Sequence, residues 1–267
     1  MTRTPPPPEL IRTPEIAWPT LATLVGIYLL WAFGAWIGSW LGFFIITAAA
    51  FWAFTPMHDA AHGSVSRKQW VNTVVGHSAA FVLNGPFAVF KHVHLTHHRF
   101  TNEADADPDF WAGTGPAWQL PLRWLTQEAH YYVWYITRWN KRPARERMSL
   151  IITMSLQLTL VFAFLSPEIF LYWILPAKLA SAMLAFSFDY LPHRPHGIPA
   201  REDRYRASHI IPEPWLTPLF LFQNYHLIHH LYPGVPFYGY TAIWENQKEF
   251  LISRGTRVMR LFSPSTT

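Results

Sequence analysis

The chain has no cysteine among its 267 residues. That absence excludes disulfides, thiolate zinc sites, haem attachment through cysteine and cysteine-ligated iron–sulfur clusters together. Any metal must be held by histidine and carboxylate. Charge is also scarce: Asp, Glu, Lys and Arg make up 14% of the residues, against about 25% in ordinary soluble chains. None of the four occurs from residue 16 to residue 58, a stretch long enough for two membrane spans of roughly 20 residues around a turn near Gly38. The opening MTRTPPPPELIRTPEIAWP lacks the apolar core and small-residue cleavage site of a signal peptide. It reads as a disordered proline-rich tail over 1–17.

A second uncharged stretch runs from Met148 to Pro167, and a third apolar segment, Ile169 to Phe188, is interrupted only by Lys178. The expected fold is an all-α integral membrane protein. Four transmembrane helices, over 18–37, 40–58, 148–167 and 169–189, form two hairpins beneath a cytoplasmic helical cap. A single membrane domain covers 18–244, and 245–267 is a cytoplasmic tail. Of the 21 Lys and Arg residues, two precede the first hairpin, ten lie between Asp59 and Arg147 and eight follow from Arg194, with none in either hairpin turn. Cytoplasmic loops carry such an excess, so both termini are expected on the cytoplasmic side of a bacterial-type inner membrane. The apolar segment 71–90 contains Asn72, His77, Asn84, Gly85 and Pro86 and reads as interfacial or re-entrant. Lys178 costs about 2.5–3.5 kcal/mol at the centre of a span. It therefore faces a partner, a cavity or the interface, or it snorkels to a surface.

Against these absences stands an excess of imidazole. Eight of the fourteen histidines fall in three clusters: His58 and His62 in HDAAH, His94, His97 and His98 in HLTHH, and His226, His229 and His230 in HLIHH. On a helix, i, i+3 and i+4 side chains lie over one face. Three converging clusters have enough nitrogens for two metal ions, and neutral imidazole suits iron, zinc or copper. His193, in FDYLPHRPH, stands four residues after Asp189 at the end of the last span and joins the set. Asp189 is a candidate to ligate a metal, to hold a metal-bound water or to orient an imidazole. His196 and His92 are weaker candidates, and His77, His130 and His209 read as ordinary packing residues. The run TNEADADPD fails as a calcium loop, because Phe110 and Pro116 stand where glycine and glutamate are needed. Its carboxylates either accept hydrogen bonds from the clustered histidines or Arg99, or they are solvated.

Two metals in a histidine cage at a membrane surface point to iron, cycling between Fe2+ and Fe3+, that activates O2 to attack a C–H bond of a lipid. Such a reaction needs two electrons. With no GxGxxG fingerprint and no haem-binding domain, they must come from another protein. The cytoplasmic segments carry 18 basic and 12 acidic residues, which suits an acidic carrier such as ferredoxin. No nucleic-acid partner is expected.

HDAAHGS, HLTHHRFTNEADADPDFW and QNYHLIHHLYPGVPFY resemble the three histidine boxes of the membrane fatty acid desaturase superfamily. FDYLPHRP and the TN..DADPDFW tail are similar to strings of cyanobacterial-type beta-carotene ring hydroxylases. The resemblance covers about Trp18 to Trp244. It implies a non-haem diiron site held by His58, His62, His94, His97, His98, His193, His226, His229 and His230, with catalytic Asp189 at or beside it. It also implies O2 as cosubstrate, electrons from ferredoxin and hydroxylation of a carotenoid end ring. An acyl-lipid desaturase is the rival within the superfamily, and HG after the first box also occurs in carotenoid ketolases. A metal transporter is disfavoured, because the spans hold only Lys178 and Asp189 as ionisable groups.

Overall fold

The computed structural model describes residues 6–260; the outermost parts of both expected tails lie outside the described residues. Among the described residues four helices are long and apolar enough to cross a membrane: α2 (Trp18–Ile37), α3 (Trp40–His62), α8 (Ala144–Ala163) and α9 (Pro167–Tyr190). Between them come α4 (Gln69–Val82), α5 (Phe87–Phe100), the short α6 (Phe110–Gly113) and α7 (Leu120–Ile136). A cap follows with α10 (His226–Leu231) and α11 (Tyr240–Ser253).

Helix α2 starts with Pro19 in its first turn and stops at Gly38, whose φ of 60° is the left-handed conformation that glycine adopts at a helix end. The chain turns at once into α3. The two helices meet backbone to backbone, because a Cβ on Gly42 would land on the Gly34 carbonyl. Bare glycine on both sides is what permits that approach. The later pair is arranged differently: α9 packs on α3 and α7, whereas α8 leans on α5.

The segment 71–90, expected to be interfacial or re-entrant, is divided between two helices. Asn84 at φ 53° and Pro86 break it, and α4 and α5 meet at 105°. His62 and His94 touch at 2.8 Å, so the chain between them leaves and returns to one place. Lys178 has a partner: its Nζ donates to both carboxylate oxygens of Glu128 on α7, at 2.6 and 2.7 Å.

Two π-helical stretches interrupt α9, at Phe170–Ile174 and Ala185–Tyr190. The second holds Asp189.

The tail assignments need correction over their described parts. Pro8–Ile11 is a single helical turn, α1, whose Leu10 packs against the core of Tyr240, Ile243 and Trp244. Thr13 Oγ1 donates to the Gly234 carbonyl at 2.9 Å, and Ala17 N–H donates to the Val65 carbonyl at 2.7 Å. Leu10, Thr13 and Ala17 thus find a surface, and the arm docks. At the other end the boundary at 244 falls inside α11, which continues into β2 (Arg257–Val258), paired in parallel with β1 (His209–Ile210). Buried Gln247 and Leu251 carry that helix past Trp244. Asp59 ties the layers together: Thr20 Oγ1 donates to it at 2.9 Å from α2, and Phe237 N–H at 3.2 Å from the cap.

Candidate metal centre

The histidines arrive from four places. Helix α3 ends in His58 and His62, α5 carries His94, His97 and His98, the turn after α9 carries His193, and α10 carries His226, His229 and His230. Their ring nitrogens sort into two groups. His58, His62, His94, His98 and His229 form one, and His97, His193, His226 and His230 the other, with donor atoms of each group within 4.8 Å of one another. The spacing explains the split. On α5, His94 and His98 stack one turn apart and serve the first group, while His97 points round the helix to the second. On α10 the same pattern runs in reverse: His226 and His230 serve the second group and His229 the first. Each helix is a wedge between two nests of imidazole.

Within the nests Nε2 faces Nε2. The separations are 2.8 Å for His62 and His94, 2.9 Å for His58 and His229, and 2.7 Å for His229 and His98. In the second group they are 2.9 Å for His193 and His226 and 3.0 Å for His226 and His230. The outer nitrogens fix tautomers. His97 donates from Nδ1 to Asp107 Oδ1 at 2.9 Å, and His193 from Nδ1 to the Ala207 carbonyl at 3.3 Å. Their Nε2 lone pairs therefore point inward. Where two such nitrogens both present lone pairs they repel, and a cation between them would turn that repulsion into coordination. The donor set fits imidazole-bound metal, with outer partners of the kind that orient metal-ligating histidines.

Electrostatics agree. Burial, reinforced by neighbouring imidazoles, pushes His94, His98, His193, His226, His229 and His230 well below the usual histidine value, so the neutral ligand form prevails. His97 is the exception. Burial disfavours its cation too, but Asp107 and then Asp109 outweigh that and lift it to about 9, so the same two carboxylates that draw a proton to this ring favour a metal cation in the proton's place.

Asp189 belongs to neither group. Its Oδ2 lies 3.0 Å from the Tyr131 hydroxyl, which also lies 2.6 Å from Asp109 Oδ1. Asp109 in turn stands 3.4 Å from His97 Nδ1. Burial, then the two carboxylates, raises the Tyr131 phenol well above its ordinary value, so it stays protonated and donates. The acidic run is thus divided: Asp107 and Asp109 are buried behind His97, while Asp105 is exposed.

The other histidines stand apart. His196 leans over Gly113, where a Cβ would strike its ring, and its Nε2 donates to the Asp189 carbonyl at 3.3 Å. His92 meets Arg142, His130 stacks on Trp111, and His209 bonds the Arg194 carbonyl. His77 reaches Ser149 at 3.3 Å. His77→Ala is expected to keep normal metal content and most activity; loss of activity at normal metal content would mean the histidines are wrongly divided.

Tyr131 and Tyr240 were invisible in the sequence. Tyr240, whose hydroxyl lies 3.0 Å from His229 Nδ1, sits outside any motif, and Tyr131 is 58 residues from the aspartate it meets.

A pocket opens on the centre from the side of the spans. Phe54, Met57, Leu83, Phe90, Leu184 and Phe188 line its apolar length, and His94, His97, His226 and Asp189 also face it.

The fatty acid desaturase family model matches residues 34–261. The chain belongs to the fatty acid desaturase family. Its members are oxidoreductases, and this desaturase-family chain is similar to several characterised ones. It is 26% identical to an sn-1 oleoyl-lipid 12-desaturase of Picosynechococcus, over 87% of this chain and 76% of that protein. It is 33% identical to a beta-carotene ketolase of Paracoccus, over 69% of this chain and 70% of that protein. An sn-1 acyl-lipid omega-3 desaturase (ferredoxin) of Nostoc is 30% identical over 41% of this chain and 32% of its own length.

Proposed function

We propose that this chain is a membrane-bound non-haem diiron oxygenase. It inserts one oxygen atom of O2 into a C–H bond of a carotenoid end ring, the other atom leaving as water with two protons and with two electrons from an acidic protein such as ferredoxin. The observation that carries the reading is an apolar pocket facing His94 of one histidine group and His97 and His226 of the other. His58, His62, His94, His98 and His229 would hold one iron, and His97, His193, His226 and His230 the second. Such an iron pair supplies, when bound, the O2 activation that an unactivated C–H bond demands.

The chain's own residues do the rest. Phe54, Phe90 and Phe188 present aromatic faces to an elongated apolar substrate and keep water from the site. Asp107 holds the His97 ring in one tautomer and makes it a stronger donor. Tyr131 and Asp189 place a protonated hydroxyl and a carboxylate at the pocket wall, able to hold a proton beside the reacting carbon. We place both termini and the metal centre on the cytoplasmic side, where the basic segments gather.

The ketolase likeness supports ring chemistry, since a ring ketone and a ring alcohol both begin with oxygen entering a ring C–H bond. None of the three relatives carries a hydroxylase name, and the longest of the three alignments is with an acyl-lipid desaturase. Acyl-lipid desaturation is accordingly the second reading. Expression in a host that makes beta-carotene separates them. Ring-oxygenated pigment, with an unchanged fatty-acid profile, is the expected result. Unchanged pigment with new double bonds in the fatty acids would overturn it in favour of the second.

A further inference from the structure

Helix α5 has two working faces. His94 and His97 look toward the metal centre, while Lys91, His92, Leu95 and Arg99, on the other side, form the wall of a separate cleft. Thr73 and His77 of α4, Trp134 of α7, Arg138, Arg142 and the first turns of α8 close it. Five cations line this cleft (Lys91, Arg99, Arg138, Arg142 and Arg145) against one carboxylate, Glu146. Glu146 is taken by Arg142 at 3.3 Å. Among the described residues Lys91, Arg99, Arg138 and Arg145 form no ion pair.

Two of the guanidinium groups are held in place. Arg138 lies 3.6 Å above the Trp134 ring, and Arg142 Nη1 stands 2.6 Å from His92 Nδ1. Like charges held close repel one another, and a bound anion relieves that repulsion. Planar guanidinium forks suit phosphate oxygens in particular.

The rim says what carries the phosphate. Trp70 and Val74 on α4, and Met148 and Ile152 on α8, are apolar and exposed beside the cleft. Arg145 and Ser149 begin the same face of α8 that runs on to Ile152, and α8 is a candidate span. A cationic end opening onto a hydrocarbon side suits one molecule with a phosphate joined to acyl chains; an acidic protein would need a polar rim. We infer that this cleft binds the phosphate of an anionic membrane phospholipid, with its acyl chains along the outer face of α4 and α8. The site lies across α5 from the substrate pocket, and it stands whether or not the proposed reaction is right.

The test uses the full chain, purified in detergent and delipidated, with bound lipid counted by native mass spectrometry. Wild type is expected to retain dioleoyl phosphatidylglycerol in preference to dioleoyl phosphatidylcholine. Removing two of the cations, in Arg138→Gln with Arg145→Gln, weakens that binding about thirtyfold, as two interfacial charges of about 1 kcal/mol each predict. Arg254→Gln with Arg257→Gln, in the cap, leaves it unchanged, and unaltered metal content shows that both variants are folded. Three results would overturn the inference. One is equal retention of the two lipids. Another is inorganic phosphate binding as tightly as the lipid, which would make this a free-phosphate site. The third is unchanged lipid binding in Arg138→Gln/Arg145→Gln with a raised KM for the reduced donor protein, which would make it a docking site.

Discussion

His229→Ala is expected to give a folded, membrane-inserted protein with no measurable turnover and reduced metal content. No other histidine is in closer touch with its group: its Nε2 lies 2.9 Å from that of His58 and 2.7 Å from that of His98. It comes from the cap, whereas the other four members come from α3 and α5. Removing it therefore takes away a donor and also the link that joins the cap to that group. The loss should exceed the roughly 10–100-fold that follows when only an outer partner of a ligand is removed. Metal analysis, O2 uptake with reductant and donor, and helical content measured together check it. Retained activity at full metal content would remove His229 from the centre.

The second large effect lies one bond further out. Asp107→Asn is expected to cut metal affinity or activity by about 10–100-fold. Asp107 Oδ1 accepts from His97 Nδ1 at 2.9 Å, and its Oδ2 accepts from the Asn102 backbone N–H at 2.8 Å. The amide keeps one acceptor, for the imidazole, but sets an NH2 against the Asn102 backbone N–H and removes the negative charge that lifts His97 to about 9. His97 becomes a weaker donor with its position intact. Asp105→Asn, two residues away and exposed, is the control and should leave both quantities unchanged. Equal effects of the two substitutions would show that the charge of the loop, and not the bond to His97, is what matters.

The candidate ligands were legible in the sequence because they obey local rules. Spacings of three and four residues on helices bring His94 to His98 and His226 to His230 whatever the rest of the chain does. The split into two groups was not legible, since it depends on how α5 and α10 are rotated against each other. The four long apolar helices were legible from the absence of charge; the division of 71–90 into α4 and α5 was not read, although Asn84, Gly85 and Pro86 stand at the break. Partners far apart in the chain left no local mark. Glu128 meets Lys178 across 50 residues, and Tyr131 meets Asp189 across 58. The acidic run left its roles open because burial, which separates Asp107 and Asp109 from Asp105, is decided by the turn that folds them under α5. The docked arm before α2 was misread because proline-rich composition speaks of local stiffness and says nothing of a waiting surface.

The π-helical stretch at Ala185–Tyr190 makes the length of the last span matter more than its composition. A π turn accommodates an additional residue between ordinary helical turns, and here it carries Phe188 and Asp189 of the pocket wall and leads directly into the turn that holds His193. Deleting one residue there would let the helix close into regular α geometry and swing everything beyond it by about 100°. His193 would leave its nest and Asp189 would leave Tyr131, although no named side chain had been changed. Many apolar substitutions along this stretch can be absorbed by the lipid and the pocket; a change in the count of residues cannot.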